Sequence, residues 1–432
     1  MVQQYLRGEV VSFSAMPDSE AHPGLTHLPD GIVVVDDARI VEVCSVSDFT
    51  RKGGALERVD DVRPGIVLPG FIDTHVHYSQ MDIVASYGNQ LLDWLNNYAF
   101  PAELAFASQQ HAELQAERFM QRMLACGTTA ALVFTTVHPH ATDTLFEAAQ
   151  AMGACVVSGK VMMNRNAPDA LLDTDDGLES SRLLLERWHQ QGRLRYAITP
   201  RFAITSSAAQ LAAAGALLQA NPGVYLHTHL SEHPDEVAAT LALYPEADDY
   251  LDIYARYGLL QDHSVFAHSI HLSDAEMQRL REHGAKIAFC PSSNLFLGSG
   301  LLDLRRMREF AVGMGVGSDV GGGPSLSLLD TLADGYKVAQ LGAHSWHPLA
   351  AFYSATRGGA ETLNLAHEIG SLEPGLFADL VVLDAAPDSA CGQRLANAQS
   401  LTERMFAYLQ LGGETAVART YVAGVLQYQR AA

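Results

Sequence analysis

Apolar positions along the chain follow two alternating rhythms. Short β-branched or fully apolar runs, "GFIDTHVH", "TTAALVFT", "ACVVSGK", "RYAITP", "VYLHTH", "VFAHS", "KIAFC" and "VGMGVGSD", have the length and composition of strands. Between them lie Ala-, Leu- and Glu-rich stretches. Helical stretches such as "DAEMQRLREHG" and, further on, "LTERMFAYLQLG" have amphipathic spacing and stop at glycine. Strand and helix in alternation signal a parallel sheet with helical cover, and eight is the number of strands that closes a (β/α)8 TIM-type barrel. The ends of the chain read differently. "GIVVVDDARIVEV" places two β-branched runs around Asp36-Asp37-Ala38-Arg39, a hairpin composition, while "ADLVVLD" and "VARTYVAGVLQYQ" repeat that style near the C-terminus. Neither end makes a stable sheet alone, so the two are expected to join in one small β-sandwich. The expected α/β architecture divides as 1–69 and 376–432 for the sandwich halves and 70–375 for the barrel.

Composition narrows the classes of function. A chain of 432 residues exceeds what one core usually serves. Its 28 Lys plus Arg stand against 49 Asp plus Glu, a net charge of −21, which repels nucleic acid and anionic membranes alike. The five cysteines, Cys44, Cys126, Cys155, Cys290 and Cys391, are scattered without a C-x-x-C, so neither a disulfide framework nor a thiolate metal site is expected. The opening "MVQQYLRGEVVSF" lacks a signal-peptide plan and no uncharged apolar run approaches a membrane span. The expected setting is the reducing cytoplasm, with no nucleic acid and no membrane as partner.

Barrel enzymes gather their chemistry at the C-terminal ends of strands. His75 and His77 close the first strand, one residue apart and therefore on one face. "GVYLHTHLSE" ends with His227, His229 and Glu232, "SVFAHS" with His268, and "GMGVGSD" with Asp319. The span from His75 to Asp319 is close to the roughly 250 residues of a whole barrel. Three imidazoles and a carboxylate suit Zn²⁺, with Fe²⁺ or Mn²⁺ as less fitting occupants, and such an ion lowers the pKa of a bound water from about 15.7 toward roughly 7. Glu232, three residues beyond His229, is placed for proton transfer. His268 is either a further ligand or a hydrogen-bond partner of the water, and His227 competes with His229 as ligand. Other groupings read less well. His229, Glu232 and His233 spell H-x-x-E-H, but an extended run precedes them and Pro234 follows, against the helix that inverted zinc-protease motif needs. Pro139 interrupts His138 and His140. "GVGSDVGGGPS" has no Lys-Ser/Thr and fails as a phosphate loop; its glycines suit close approach of backbone to a small ligand. A carbamylated Lys160 bridging two metals is a weaker reading than a single metal.

These residues also carry a resemblance. "PGFIDTHVH", "HTHLSE", "AHS", "GSD" and "GSLEPGLFADLVVLD", in that order, resemble the amidohydrolase superfamily of metal-dependent hydrolases and deaminases. "HYSQ", "LLDWLNNYAFPAE", "TPRF", "CPSSNLFLGSG" and "GSDVGGGPSLSLLDTL" are similar to its guanine-deaminating members. The resemblance implies His75, His77, His229 and Asp319 as metal ligands, Glu232 as proton shuttle, and His268 holding water or substrate. It implies Gln80, Arg201 and Phe202 as contacts to a purine base, with Phe202 stacking. It further implies hydrolysis of guanine to xanthine and ammonia, one Zn²⁺ per subunit, and a homodimer. Its alternatives are a sibling acting on another amino-heterocycle, such as 8-oxoguanine, a thioadenosine or a triazine, and a scaffold without chemistry. "LLDWLNNYAFPAE" itself reads as a short helix stopped before Pro101, either a cover over the barrel mouth or an outer-ring helix.

Overall fold

The computed structural model describes residues 3–88, 90–173 and 177–431. β1 (Gln4–Phe13), β2 (Leu25–Asp36), β3 (Arg39–Ser45) and β4 (Asp60–Pro69) come first. β1 pairs antiparallel with β2 and parallel with β4, and β2 pairs antiparallel with β3. Asp37 and Ala38 join β2 to β3 with φ of 46° and 70°. Two left-handed residues in a two-residue loop make the turn whose twist matches that of the strands.

Past Gly70 the chain enters the barrel. β5 (Phe71–His77), β6 (Thr128–Phe134), β7 (Cys155–Gly159), the short β8 (Val161–Met162), β9 (Leu194–Pro200), β10 (Tyr225–Leu230), β11 (Ser264–His268), β12 (Lys286–Phe289) and β13 (Gly313–Val316) follow. They run parallel in the order β5-β6-β7-β9-β10-β11-β12-β13, with β8 beside β9. All eight strands read from the sequence are present. The ring is closed at its mouth by two hydrogen bonds of 2.9 Å, from Asp319 N to His75 O and from His77 N to Val320 O. Gly317 allows that approach, because a Cβ there would lie 2.8 Å from the Cβ of His75.

Each barrel strand is buried on both faces, which is why the sequence shows near-continuous apolar runs. Ile72, Leu132, Val157, Ala197, Tyr225 and Val265 form the interior cluster. Their neighbours Val133, Val156, Ile198, Leu226 and Phe266 belong to the larger core shared with the outer helices. β14 (Leu380–Leu383) returns to pair antiparallel with β4, followed by β15 (Val417–Val422) and β16 (Val425–Gln429). Both chain ends thus share one seven-stranded sheet, β16-β15-β14-β4-β1-β2-β3, outside the barrel. The helix Leu401–Leu411 lies in the C-terminal segment but packs on the barrel helices Leu328–Leu341 and Pro348–Ser354.

The segment after β5 departs from the reading of a helix that stops before Pro101. Leu91–Trp94 is α-helical, Leu95–Ala99 forms a wider π-type turn, and Phe100–Leu104 is α-helical again. The Phe100 N–H reaches back to Leu95 O, and Phe100 keeps helical angles of −62° and −43°. Pro101 then falls in the first turn of the new α segment, where its missing N–H is not required. The helix therefore continues through the proline and carries Glu103 inward. Among the described residues no helix is long and apolar enough to cross a membrane.

Candidate active site

Strand parity decides which side chains reach the mouth. Tyr225 faces the barrel interior, so His227 and His229 in the same strand face it too. β5 carries a register irregularity between Asp73 and Val76. Ile72 lies inside and Val76 outside, and His75 and His77 turn inward beside Asp73. One nitrogen or oxygen from each of His75, His77, His229 and Asp319 lies within 4.8 Å of all the others, and all four residues are buried. Asp319 Oδ1 is 3.1 Å from His75 Nε2 and 3.3 Å from His77 Nε2, while His77 Nε2 and His229 Nε2 face each other at 3.3 Å.

The chemistry of these atoms fits a divalent cation. His229 Nδ1 lies 2.7 Å from Arg201 O and can only donate to it, which leaves Nε2 with a bare lone pair. His75 Nε2 is buried without a hydrogen-bond partner, and His77 turns its Nε2 toward His229 and Asp319. Burial holds the pKa of His75 and of His229 below the usual histidine range and takes His77 down to about 3. Neutral imidazoles with converging lone pairs are what a metal needs and what a metal-free core tolerates poorly. Burial alone would raise Asp319, yet the facing histidines keep it well below the ordinary carboxylate range.

His227 stands behind this group rather than among it. Its Nε2 is 2.8 Å from His75 Nδ1, so it fixes the His75 ring. Asp73 does the same for the backbone: it accepts from His75 N and Ser318 N, each at 3.1 Å, and from Ser318 Oγ, tying β5 to the loop bearing Asp319.

Glu232 and His268 complete the polar wall. Phe266 packs outward, and a regular strand would send His268 outward as well; instead the backbone turns left-handed at His268 and Ser269, with φ of 66° and 54°. His268 Nε2 thereby lies 3.4 Å from Glu232 Oε2 and 3.7 Å from Asp319 Oδ2, with Nδ1 held 2.8 Å from Asn294 Oδ1. Asp319 and Ser231 are also left-handed, at 49° each. Such non-glycine conformations cost energy and collect at functional sites. Burial, with Asp319 nearby, pushes Glu232 up to about 8, against a hydrogen bond from Ser299 Oγ at 3.1 Å.

A small cavity opens over this group. His77, His229, Glu232, His268 and Asp319 line its floor, and Gln80, Arg201 and Phe202 its side. Leu91, Trp94 and Leu95 form its roof, so the 91–104 segment covers the mouth. Gly322 also borders it, where a Cβ would lie 2.7 Å from Ser293 Oγ. Glu103, fully buried, accepts from Arg201 Nη1 at 2.7 and 2.9 Å and from Gln80 Nε2 at 3.2 Å. Sequence reasoning passed over Glu103, Asn294 and Ser299. The available signal for Glu103 was a lone carboxylate three and four residues beyond apolar Phe100 and Ala99, on the buried face of a helix.

Other sequence candidates lie elsewhere. His233 is extended, with φ of −129°, and caps the helix Pro234–Leu243, so the H-x-x-E-H motif is not helical. His138 lies 3.0 Å from Thr136 Oγ1, and His140 Nε2 2.7 Å from Phe106 O. The Lys160 ammonium is paired with Asp173 at 2.5 Å.

The chain is 42% identical over 428 residues to guanine deaminase of Escherichia coli K12, covering 98% of each chain. It is 32% identical over 373 residues to guanine deaminase of Rattus norvegicus, covering 83% of this chain and 82% of that one. Its fold superposes on the E. coli guanine deaminase structure with a TM-score of 0.95 at 40% identity, over 100% of both chains. A guanine deaminase structure from C. acetobutylicum, with guanine bound in its active site, gives 0.90 at 27% identity, over 99% of this chain and 100% of that one. A triazine hydrolase at 20% identity, TM-score 0.85 over 100% of this chain and 96% of that one, shares the fold. Residues 66–426 match the model of the amidohydrolase family, and the chain belongs to that family.

Proposed function

We propose that this chain hydrolyses guanine to xanthine and ammonia. The observation that carries the reading is one cavity in which groups able to recognise a purine, Gln80, Arg201 and Phe202, stand beside groups able to activate and steer water. Full-length likeness to proteins named guanine deaminase supports guanine as the base. His75, His77, His229 and Asp319 would hold one divalent cation, for which zinc is the natural candidate given three nitrogens, one oxygen and no sulfur. When bound, that cation supplies a polarised water at neutral pH.

The protein's own groups do the remaining work. Phe202 offers an aromatic face, and Arg201 and Gln80 orient the ring so that C2 lies above Asp319 and Glu232. Glu232, whose burial beside Asp319 raises its proton affinity above that of an ordinary carboxylate, takes a proton from the attacking water and returns it to N3 of the base. Asp319 then assists transfer of the second proton to the 2-amino group, which leaves as ammonia while the carbonyl of xanthine forms. His268, steadied by Asn294, holds the oxygen that becomes that carbonyl. Leu91, Trp94 and Leu95 exclude bulk water from above.

The division into 1–69, 70–375 and 376–432, a homodimeric assembly and a cytoplasmic location belong to the same proposal. Five buried, free cysteines are compatible with a reducing compartment. The test is a metal-replete preparation offered guanine, other aminopurines and aminotriazines, with ammonia release and bound metal measured on one sample. Guanine should be turned over fastest; a preparation loaded with metal yet inert toward guanine removes the proposal.

A further inference from the structure

We infer that Glu103 is a positioning residue that makes the cavity selective for a purine with a carbonyl, rather than an amino group, at C6. The inference rests on guanine as the substrate and concerns a residue on the cover, outside the metal group and the proton shuttle. Arg201, Gln80 and Glu103 are all buried, at 2%, 2% and 0% exposure. Both Glu103 oxygens accept from Arg201 Nη1, and Oε1 also accepts from Gln80 Nε2. On its other side Gln80 Oε1 accepts from Gly321 N at 3.2 Å.

Each contact removes a freedom that would blur recognition. A carboxylate can only accept and a backbone N–H can only donate, so the Gln80 amide, caught between Glu103 and Gly321, has one orientation. A guanidinium has donors alone, and anchoring Nη1 on the carboxylate fixes the plane in which the remaining N–H groups are offered. The wall formed by Arg201 is therefore a fixed set of donors. Guanine presents adjacent acceptors, N7 and O6, along one edge, whereas a 6-amino purine replaces the second acceptor with a donor. Donor would face donor, and a buried site with such a mismatch rejects the analogue strongly.

Replacing Glu103 by Gln keeps the volume and breaks this logic. The amide oxygen can still take Arg201 Nη1 and Gln80 Nε2, but the second acceptor facing Arg201 becomes a donor and the negative charge is lost, so the clamp that fixes the plane of the guanidinium is broken. The experiment compares guanine with 2,6-diaminopurine, both of which carry the 2-amino group, by ammonia release from wild type, Glu103→Gln and Glu103→Asp. Metal content and melting temperature are measured on each protein. Wild type should prefer guanine. In Glu103→Gln the ratio of kcat/KM for guanine to that for 2,6-diaminopurine should fall by about tenfold or more, mainly through KM for guanine, with Glu103→Asp intermediate. A folded, metal-loaded Glu103→Gln whose ratio stays within about twofold of wild type overturns the inference. Should that variant fail to fold, Glu103→Asp decides, since it keeps the charge but withdraws it from Gln80 and Arg201; an unchanged ratio again overturns it. Wild type inert toward guanine would remove the proposed function and this inference together, whereas active wild type with unaltered variants removes the inference alone.

Discussion

Glu103 commits both oxygens to Arg201 and Gln80, whereas Glu232 accepts a hydrogen bond from Ser299 and keeps Oε2 toward His268. Both carboxyls are buried, and their neighbours set them different tasks. Opposed by a guanidinium, Glu103 orients. Beside Asp319, and with Ser299 and Arg201 only partly offsetting its burial, Glu232 is raised to about 8, which suits the proton exchange proposed for it. Changing Glu232 to Gln should lower kcat by about 10² to 10⁴-fold, because the amide has no proton to exchange, while bound metal stays at the wild-type level. Ammonia assays alongside metal analysis check this; loss of metal in step with activity would make Glu232 a holder of the ion and not a shuttle. At this scale the sequence is readable wherever a side chain sits at a strand end. Period-two alternation and barrel spacing bring His75, His77, Asp319 and one or both of His227 and His229 to strand ends, and the resemblance singles out His229. The role of His227 is not readable there, because strand parity turns it to the same side as His229 and only the 2.8 Å contact with His75 Nδ1 separates the two.

Between neighbouring elements, legibility fails where the backbone leaves its regular period. The eight strands follow from buried apolar runs, but the π-type turn at Leu95–Ala99 and the left-handed residues at His268 and Ser269 have no compositional mark. Those irregularities aim Glu103 and His268. A further coupling appears between the helices Pro234–Leu243 and Tyr250–Arg256. Glu236 accepts from Tyr250 Oη and, at 3.3 Å, from Glu232 N, so one buried carboxyl joins both helices to the loop carrying Glu232. Burial raises Glu236 from 4.5 to about 8, with Glu232 adding to the shift. The folded chain therefore holds this proton more tightly than the unfolded chain. Its contribution is full below about 4.5 and is lost as pH rises through about 8. Melting temperature should accordingly decline from pH 5 to 8 in wild type, and Glu236→Gln, neutral throughout, should flatten that decline. Equal slopes in both proteins would show that Glu236 is not the titrating group.

Across the whole molecule, the candidate cation-binding group coincides with the one junction of the barrel that has no strand ladder among the described residues. Every other neighbouring pair in the ring shares a parallel ladder, but β13 and β5 are joined by the bonds from Asp319 N to His75 O and from His77 N to Val320 O. Those bonds involve three of the four residues whose side chains converge on the ion site. A cation that binds only the folded state stabilises it by about 2.7 kcal/mol at one hundred times its dissociation constant. Here that stabilisation acts where first and last strands meet. Without the cation, converging lone pairs and an ionised Asp319 remain in a buried space, and separating β13 from β5 relieves them. Chelation should thus lower the melting temperature and, in hydrogen exchange, deprotect 71–77 and 313–320 well before β6, β7 and β9; restoring the metal should reverse both. Uniform loss of protection around the ring would mean that the ion stabilises the barrel globally and that its seam is not the first part to open.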